Sequence, residues 1–221
     1  LAEAKRLEHS GGIAEIVDNL VAGEGTGSSD YVGSGHLVSG PGSRANLADA
    51  SHYLCLLHGN YPGMIDVAMT SNRIDAAHDW LSEANESFSH EREFLAHLVA
   101  GVGAMPSMSG QAQSEVAVLG QRHALEMLAR SERRGCALGA VVALTLDWRT
   151  VRAILDIAAE RLDIAPMRSN LPNLQETATL LMAVGREESI ERAIDFGARQ
   201  LLAQHRGLWQ LLGAREAARR A

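Results

Sequence analysis

From Ile74 to Val102 the apolar residues keep a three- and four-residue spacing, through Ala77, Leu81, Ala84, Phe88, Leu95 and Leu98. That spacing predicts a helix over 72–102, roughly 45 Å long at 1.5 Å per residue, with one apolar stripe along it. A stripe of that length is stable only against partners of similar length. Segments 111–134 and 187–213 carry the same periodicity and supply them, and no segment alternates as a strand would. Aromatic residues make up only 4% of the chain, so the core has to be built from small and aliphatic side chains, which suits close helix packing. The pattern predicts an all-α fold, an antiparallel helical bundle, over one domain spanning residues 1–221.

Further helices are expected at 46–58, 136–146, 148–163 and 173–184, with Gly59, Pro62, Pro106, Gly135, Pro166 and Pro172 as punctuation. An amphipathic stretch from Ala2 to Val21 is interrupted by Ser10, Gly11 and Gly12, which predicts two short helices or a kinked one. Residues 23–43 hold seven glycines with Ser, Thr and Pro and read as a flexible Gly-rich loop. Three pairs have the spacing of a helix start, Asn46 with Asp49, Asn72 with Asp75, and Asn173 with Glu176. In each, the Asn would cap and the acid three residues on would answer the orphan amides and the helix dipole.

A formal charge of -7 and a pI near 5.7 leave no basic footprint for nucleic acid. Cys55 and Cys136 lack a CxxC spacing and sit among apolar residues, which implies packing thiols in a reducing compartment, so the cytoplasm is the expected location. The longest apolar run, Cys136 to Leu146, falls short of the ~20 residues that span a bilayer, so no membrane role is expected. The first residues do not have the charged-then-apolar pattern of a secretory signal, so secretion is not expected.

Nine histidines in an acidic chain raise the question of a metal site. DxxH occurs at Asp49/His52 and Asp75/His78, and HxxE at His90/Glu93 and His123/Glu126. The aspartates are accounted for as capping acids. Projection at about 100° per residue puts His78, His90, His97 and His123 outside the apolar arcs. Three titratable residues stay inside them: Glu91 with Phe88 and Leu95, His58 with Leu54 and Leu47, and His205 with Leu201 and Leu208. A polar group turned inward must be paired, hydrogen-bonded or metal-bound. A lone inward histidine bonds a backbone carbonyl in the ordinary case, and Glu91 has Arg92 or an arginine of another helix as partners. If the three converge, they form a candidate divalent-metal site, with Glu91 as ligand or general base and His58 and His205 as ligands or proton carriers.

The GxG patterns at Gly23, Gly25 and Gly27 follow no strand, so a dinucleotide fingerprint lacks its context. Ser39 to Arg44 could bring amides and a guanidinium around an anion ahead of the next helix. No GxSxG, HExxH or Walker sequence is present.

The stretches His52-Tyr-Leu-Cys-Leu-Leu-His58 with Gly59-Asn-Tyr-Pro-Gly63, and His123-Ala-Leu-Glu126 running to Arg134-Gly-Cys-Ala-Leu-Gly139, resemble a bacterial family of uncharacterised all-helical proteins over most of residues 36–165. In architecture the chain also resembles ferritin-like bundles, whose diiron members use ExxH motifs; this sequence has no ExxH. Two functions follow as expectations. One is a binding or interaction module acting through helix-face self-association, as a homo-oligomer. The other is a metal- or small-ligand-binding enzyme built on His58, Glu91 and His205, and a carrier with a small ligand in the bundle core is a third.

Overall fold

The computed structural model describes residues 12–165 and 167–221. Its helices are α1 (Ile13–Glu24), α2 (Asp30–Gly33), α3 (Ser43–His58), α4 (Met64–Ser71), α5 (His78–Val102), α6 (Gln111–Ala129), α7 (Cys136–Arg161), α8 (Leu174–Val184) and α9 (Glu188–Arg220). Short 3-10 turns at Thr26–Ser28 and Asp75–Ala77 complete the order, and no strand occurs among the described residues. The expected break at Ser10 and Gly11 lies outside the described residues; Gly12 caps α1 in extended conformation.

α7 is the axis of the molecule, with 18 of its 26 residues buried. Its most extensive packing is against α9. The two backbones touch because each helix sets a glycine against the other's main chain: a Cβ on Gly139 would lie 2.1 Å from the Ile194 carbonyl oxygen, and one on Gly197 2.0 Å from that of Cys136. Only glycine fits at those two positions. The segments expected as 136–146 and 148–163 form this single helix, because Asp147, which looked like a boundary, is hydrogen-bonded inside the core.

The contacts also fix directions. Gly135 meets Ile190, Gly139 meets Ile194 and Asp147 meets His205, so α7 and α9 run parallel. α5 and α7 do too: Leu81 and Leu138 line one cleft, Glu91 pairs with Arg152, and Val102 and Leu162 share a pocket. Antiparallel packing holds for α3 on α9, where Asp49 meets Arg215 and His58 meets His205, and for α6 on α9, where Ser114 meets Arg215 and Gln121 meets Gln204. The wholly antiparallel expectation is therefore corrected. α6 returns the chain between α5 and α7, and α8 with its flanking loops does so between α7 and α9.

Two of the three expected caps differ. Asn173 and Glu176 form the reciprocal capping box, both bonds at 2.9 Å. Asn72 instead closes α4, a helix not anticipated, and bonds Ile74. Asn46 lies inside α3, which starts three residues earlier than expected; it donates to the His36 carbonyl and accepts from Arg219. The Gly-rich segment 23–43 holds a 3-10 turn and α2, and buries Thr26 and Leu37 completely. One hydrophobic cluster runs from Ile13 to Leu212.

Candidate functional site

Asp147 projects from the middle of α7 and is almost wholly buried. Its Oδ1 accepts from the Thr26 amide at 2.7 Å, and its Oδ2 accepts from the Thr26 hydroxyl and from His205 Nδ1, each at 2.6 Å. Gly25 makes this approach possible, since a Cβ there would stand 2.5 Å from Oδ1. Trp209, one turn beyond His205 on α9, donates from Nε1 to the Thr26 hydroxyl at 2.8 Å. Burial pushes the Asp147 carboxyl up, but the bonds from His205 and Thr26 together outweigh it and hold the group below its ordinary range.

The far side of His205 faces His58, the last residue of α3, with Nε2 to Nε2 at 2.9 Å. Exposure is 5% for His58 and 1% for His205. Burial first, and His205 second, push the His58 imidazole well below its ordinary range. With Asp147 ionised and accepting from His205 Nδ1–H, the His205 Nε2 lone pair faces His58, so with both rings neutral the one proton between the facing nitrogens sits on His58 Nε2.

Glu91, 0% exposed, lies on the other side of Trp148. Its oxygens accept from Arg152 Nη1, both at 3.0 Å, and Oε2 also accepts from Trp148 Nε1 at 3.0 Å. Arg152 also donates from Nε to Asp156 and from Nη2 to the Met167 carbonyl and lies over the Phe94 ring. The Trp148 ring separates Glu91 from the imidazoles, packing edge-on to His58 at 5.3 Å between centroids. Of the two partners expected for Glu91, the arginine of another helix is found; Arg92 pairs with Asp66 at 2.9 Å instead.

The structure thus brings His58 and His205 into direct contact and places Glu91 beside them, one indole ring away. His78, His90, His97 and His123 are exposed, in agreement with their place on the helix wheel. Asp49 is a correction. It is no capping acid but a buried carboxylate held by Arg215 at 2.8 Å and Arg219 at 2.5 Å. Thr26, Asp147, Trp148 and Arg152 are site residues that sequence reasoning missed. Asp147 had a readable signal, being the only acid between Cys136 and Leu155 with apolar neighbours a turn away on both sides. Thr26 had none, because nothing periodic surrounds it.

Chemically, the Asp147, His205 and His58 chain is a run of buried hydrogen bonds, from His58 to His205 and from His205 to Asp147. Glu91 has both oxygens committed to Arg152 and Trp148. Among the described residues no group of three or more His, Cys, Asp and Glu is placed to hold a metal ion. Both cysteines are free thiols, and no helix among the described residues is long and apolar enough to cross a membrane.

A protein-family model described as "Family of unknown function (DUF6975)" matches residues 21–220. No curated protein and no solved structure matches the chain.

Proposed function

The chain belongs to the DUF6975 family, whose description assigns no activity, and we propose from its own surfaces that it is a binding module pairing with a second copy through the outer face of α6. The observation that carries this is the bareness of that helix. α6 buries only Val118, Leu125 and Ala129 of its 19 residues, while Val116, Leu119 and Met127 are 68%, 39% and 59% exposed. On a wheel these three share an arc with Ala112, Gly120 and Ala124, with His123 as its one ionisable group. The Arg122 and Glu126 pair stands along one edge.

A face without fixed charge does not repel its own copy, and two-fold pairing needs only self-complementarity. An antiparallel crossing centred on Gly120 sets Val116 of one copy near Ala124 of the other, small against large. Beside the face runs a cleft of about 470 Å³, floored by Leu56, Val99, Met105 and Leu119, which extends the apolar surface. Sedimentation velocity tests the reading: the expected result is a dimer that Val116→Glu converts to folded monomer. A monomer at every concentration, or a dimer indifferent to that substitution, overturns it.

A second reading keeps the imidazole pair as a metal site, because a carboxylate on the far nitrogen is what orients metal-bound histidines, and Asp147 stands there on His205. His58 and His205 would be ligands, with Glu91 joining only after leaving Arg152. This is also the reading in which the ferritin-like comparison has chemical content. Metal analysis of protein purified without a histidine tag decides it: near-stoichiometric metal lost in folded His205→Gln supports a site, and metal-free protein removes it.

A further inference from the structure

At the end of the molecule where α3 begins and α5 and α7 finish, a pocket of about 210 Å³ is lined by Arg44, Leu47, Ala48, Val102, Ala158, Arg161 and Leu162. Its floor is apolar: Leu47, Ala48 and Ala158 are buried core residues. Its polar groups are two guanidiniums, and no carboxylate lines it. Elsewhere the buried or half-buried Arg92, Arg152 and Arg215 are each paired with an acid. Among the described residues neither Arg44 nor Arg161 has such a partner. Arg161 is held in place by donating to Ser43 Oγ at 2.8 Å and to the Val38 carbonyl. Two of its five donors are thereby used, and three remain.

The loop ahead of α3 contributes little by its backbone. The Ser39 amide donates to the Gly35 carbonyl and the Ser43 amide to that of Gly40, so two amides of the segment expected around an anion are used within the loop. What faces a ligand is the guanidinium pair above an aliphatic floor.

We propose that this pocket binds a small carboxylate with a short aliphatic chain, its head on Arg44 and Arg161 and its chain over Leu47, Val102 and Leu162. Arginine suits a carboxylate because its planar fork matches the two oxygens. At ~30 Å³ for each water-sized group, the volume admits a body of roughly six to eight carbons. A longer acyl chain or a phosphorylated metabolite does not fit both the floor and the size. The site shares no residue with the α6 face, so its fate is independent of the dimer.

Calorimetric titration with octanoate tests it, with octanol as the uncharged control. The expected result is saturable one-to-one binding of octanoate, at least about tenfold tighter than octanol, because a charge-assisted head group is lost in the alcohol. Arg44→Gln, at an exposed position, weakens octanoate severalfold without changing the Tm. Ala158→Leu fills the floor and removes binding; should that variant fail to fold, Ala48→Leu fills it from the other wall. No heat with octanoate overturns the proposal. So does equal binding of octanol, or binding that both Arg44→Gln and the folded floor-filling variant leave unchanged.

Discussion

Two buried carboxylates meet the middle of α7, Asp147 from within it and Glu91 from α5, and the core treats them differently. Glu91 meets a guanidinium, Arg152, with Trp148 adding a third donor. Asp147 meets an amide, a hydroxyl and an imidazole. The first arrangement sets a guanidinium against the charge; the second uses a hydroxyl, an amide and an imidazole whose far side faces His58, a ring that burial pushes well below its ordinary range. Every basic residue of the chain except Lys5 is an arginine, so the fixed kind of pairing is the rule here and the imidazole pair is the exception. The lesson is that the Glu91 centre is a charge-paired brace, whereas the Asp147 centre includes His58, the group through which acid acts on the fold.

The sharpest way to break that contrast is to unpair the brace. Glu91→Ala leaves Arg152 charged and dry, and breaking a buried ion pair from one side costs about 3–5 kcal/mol. Urea unfolding of Glu91→Ala is expected to show a loss of that size, and the double variant Glu91→Leu with Arg152→Met to recover most of it, since two apolar groups leave no charge behind. A single variant as stable as the parent would mean that Arg152 finds water or another acid, and the brace would lose its meaning.

That pair also marks how far the sequence is legible. The helix wheel placed Glu91, His58 and His205 inward, and all three are buried, because inward direction is a property of one helix and its own spacing. Which groups meet is a property of two helices and their direction, which periodicity does not carry. The parallel run of α5, α7 and α9 brings Glu91 to Arg152 and Asp147 to His205; a purely antiparallel bundle would have made other pairs. Asn46 and Asp49 mislead for a related reason. A cap signature is local, and it was outcompeted by Arg215 and Arg219 arriving from the far end of the chain. Thr26 was hidden in a glycine-rich segment whose composition says loop, yet its hydroxyl closes the polar chain of the core.

A smaller and more specific effect follows for the second centre. His58 in the folded protein has its pKa pushed below that of an unfolded histidine, near 6.5, so below that pH the unfolded chain binds a proton the folded one refuses. Stability from this group is complete above about 6.5 and falls as the medium is acidified, with a limiting slope of about 1.4 kcal/mol per pH unit for one proton. Asp147, also lowered, adds its own loss only at more acid values, as pH falls below the ordinary carboxyl range. Denaturation series at stepped pH should show the decline beginning near 6.5 in the parent and flattened in His58→Gln, whose amide can still meet His205. An equal decline in both would assign the acid sensitivity elsewhere.

The smallest expected effect tests whether the contrast extends to hydroxyls. The Tyr31 hydroxyl is buried without a hydrogen-bond partner, and burial pushes its phenol pKa up. Thr26, by contrast, both accepts and donates. Removing an unsatisfied polar atom costs no bond and ends a desolvation penalty, so Tyr31→Phe is expected to be neutral or stabilising by up to about 1 kcal/mol. Thr26→Val, nearly the same in shape, leaves Asp147 and Trp209 each short of a partner and is expected to lose more than about 1 kcal/mol. The Tm of the two variants measured side by side decides the point. A loss in Tyr31→Phe as large as that in Thr26→Val would show that the Tyr31 hydroxyl is satisfied by water, and that the polar network reaches the Asp49 and Arg219 end of the molecule as well.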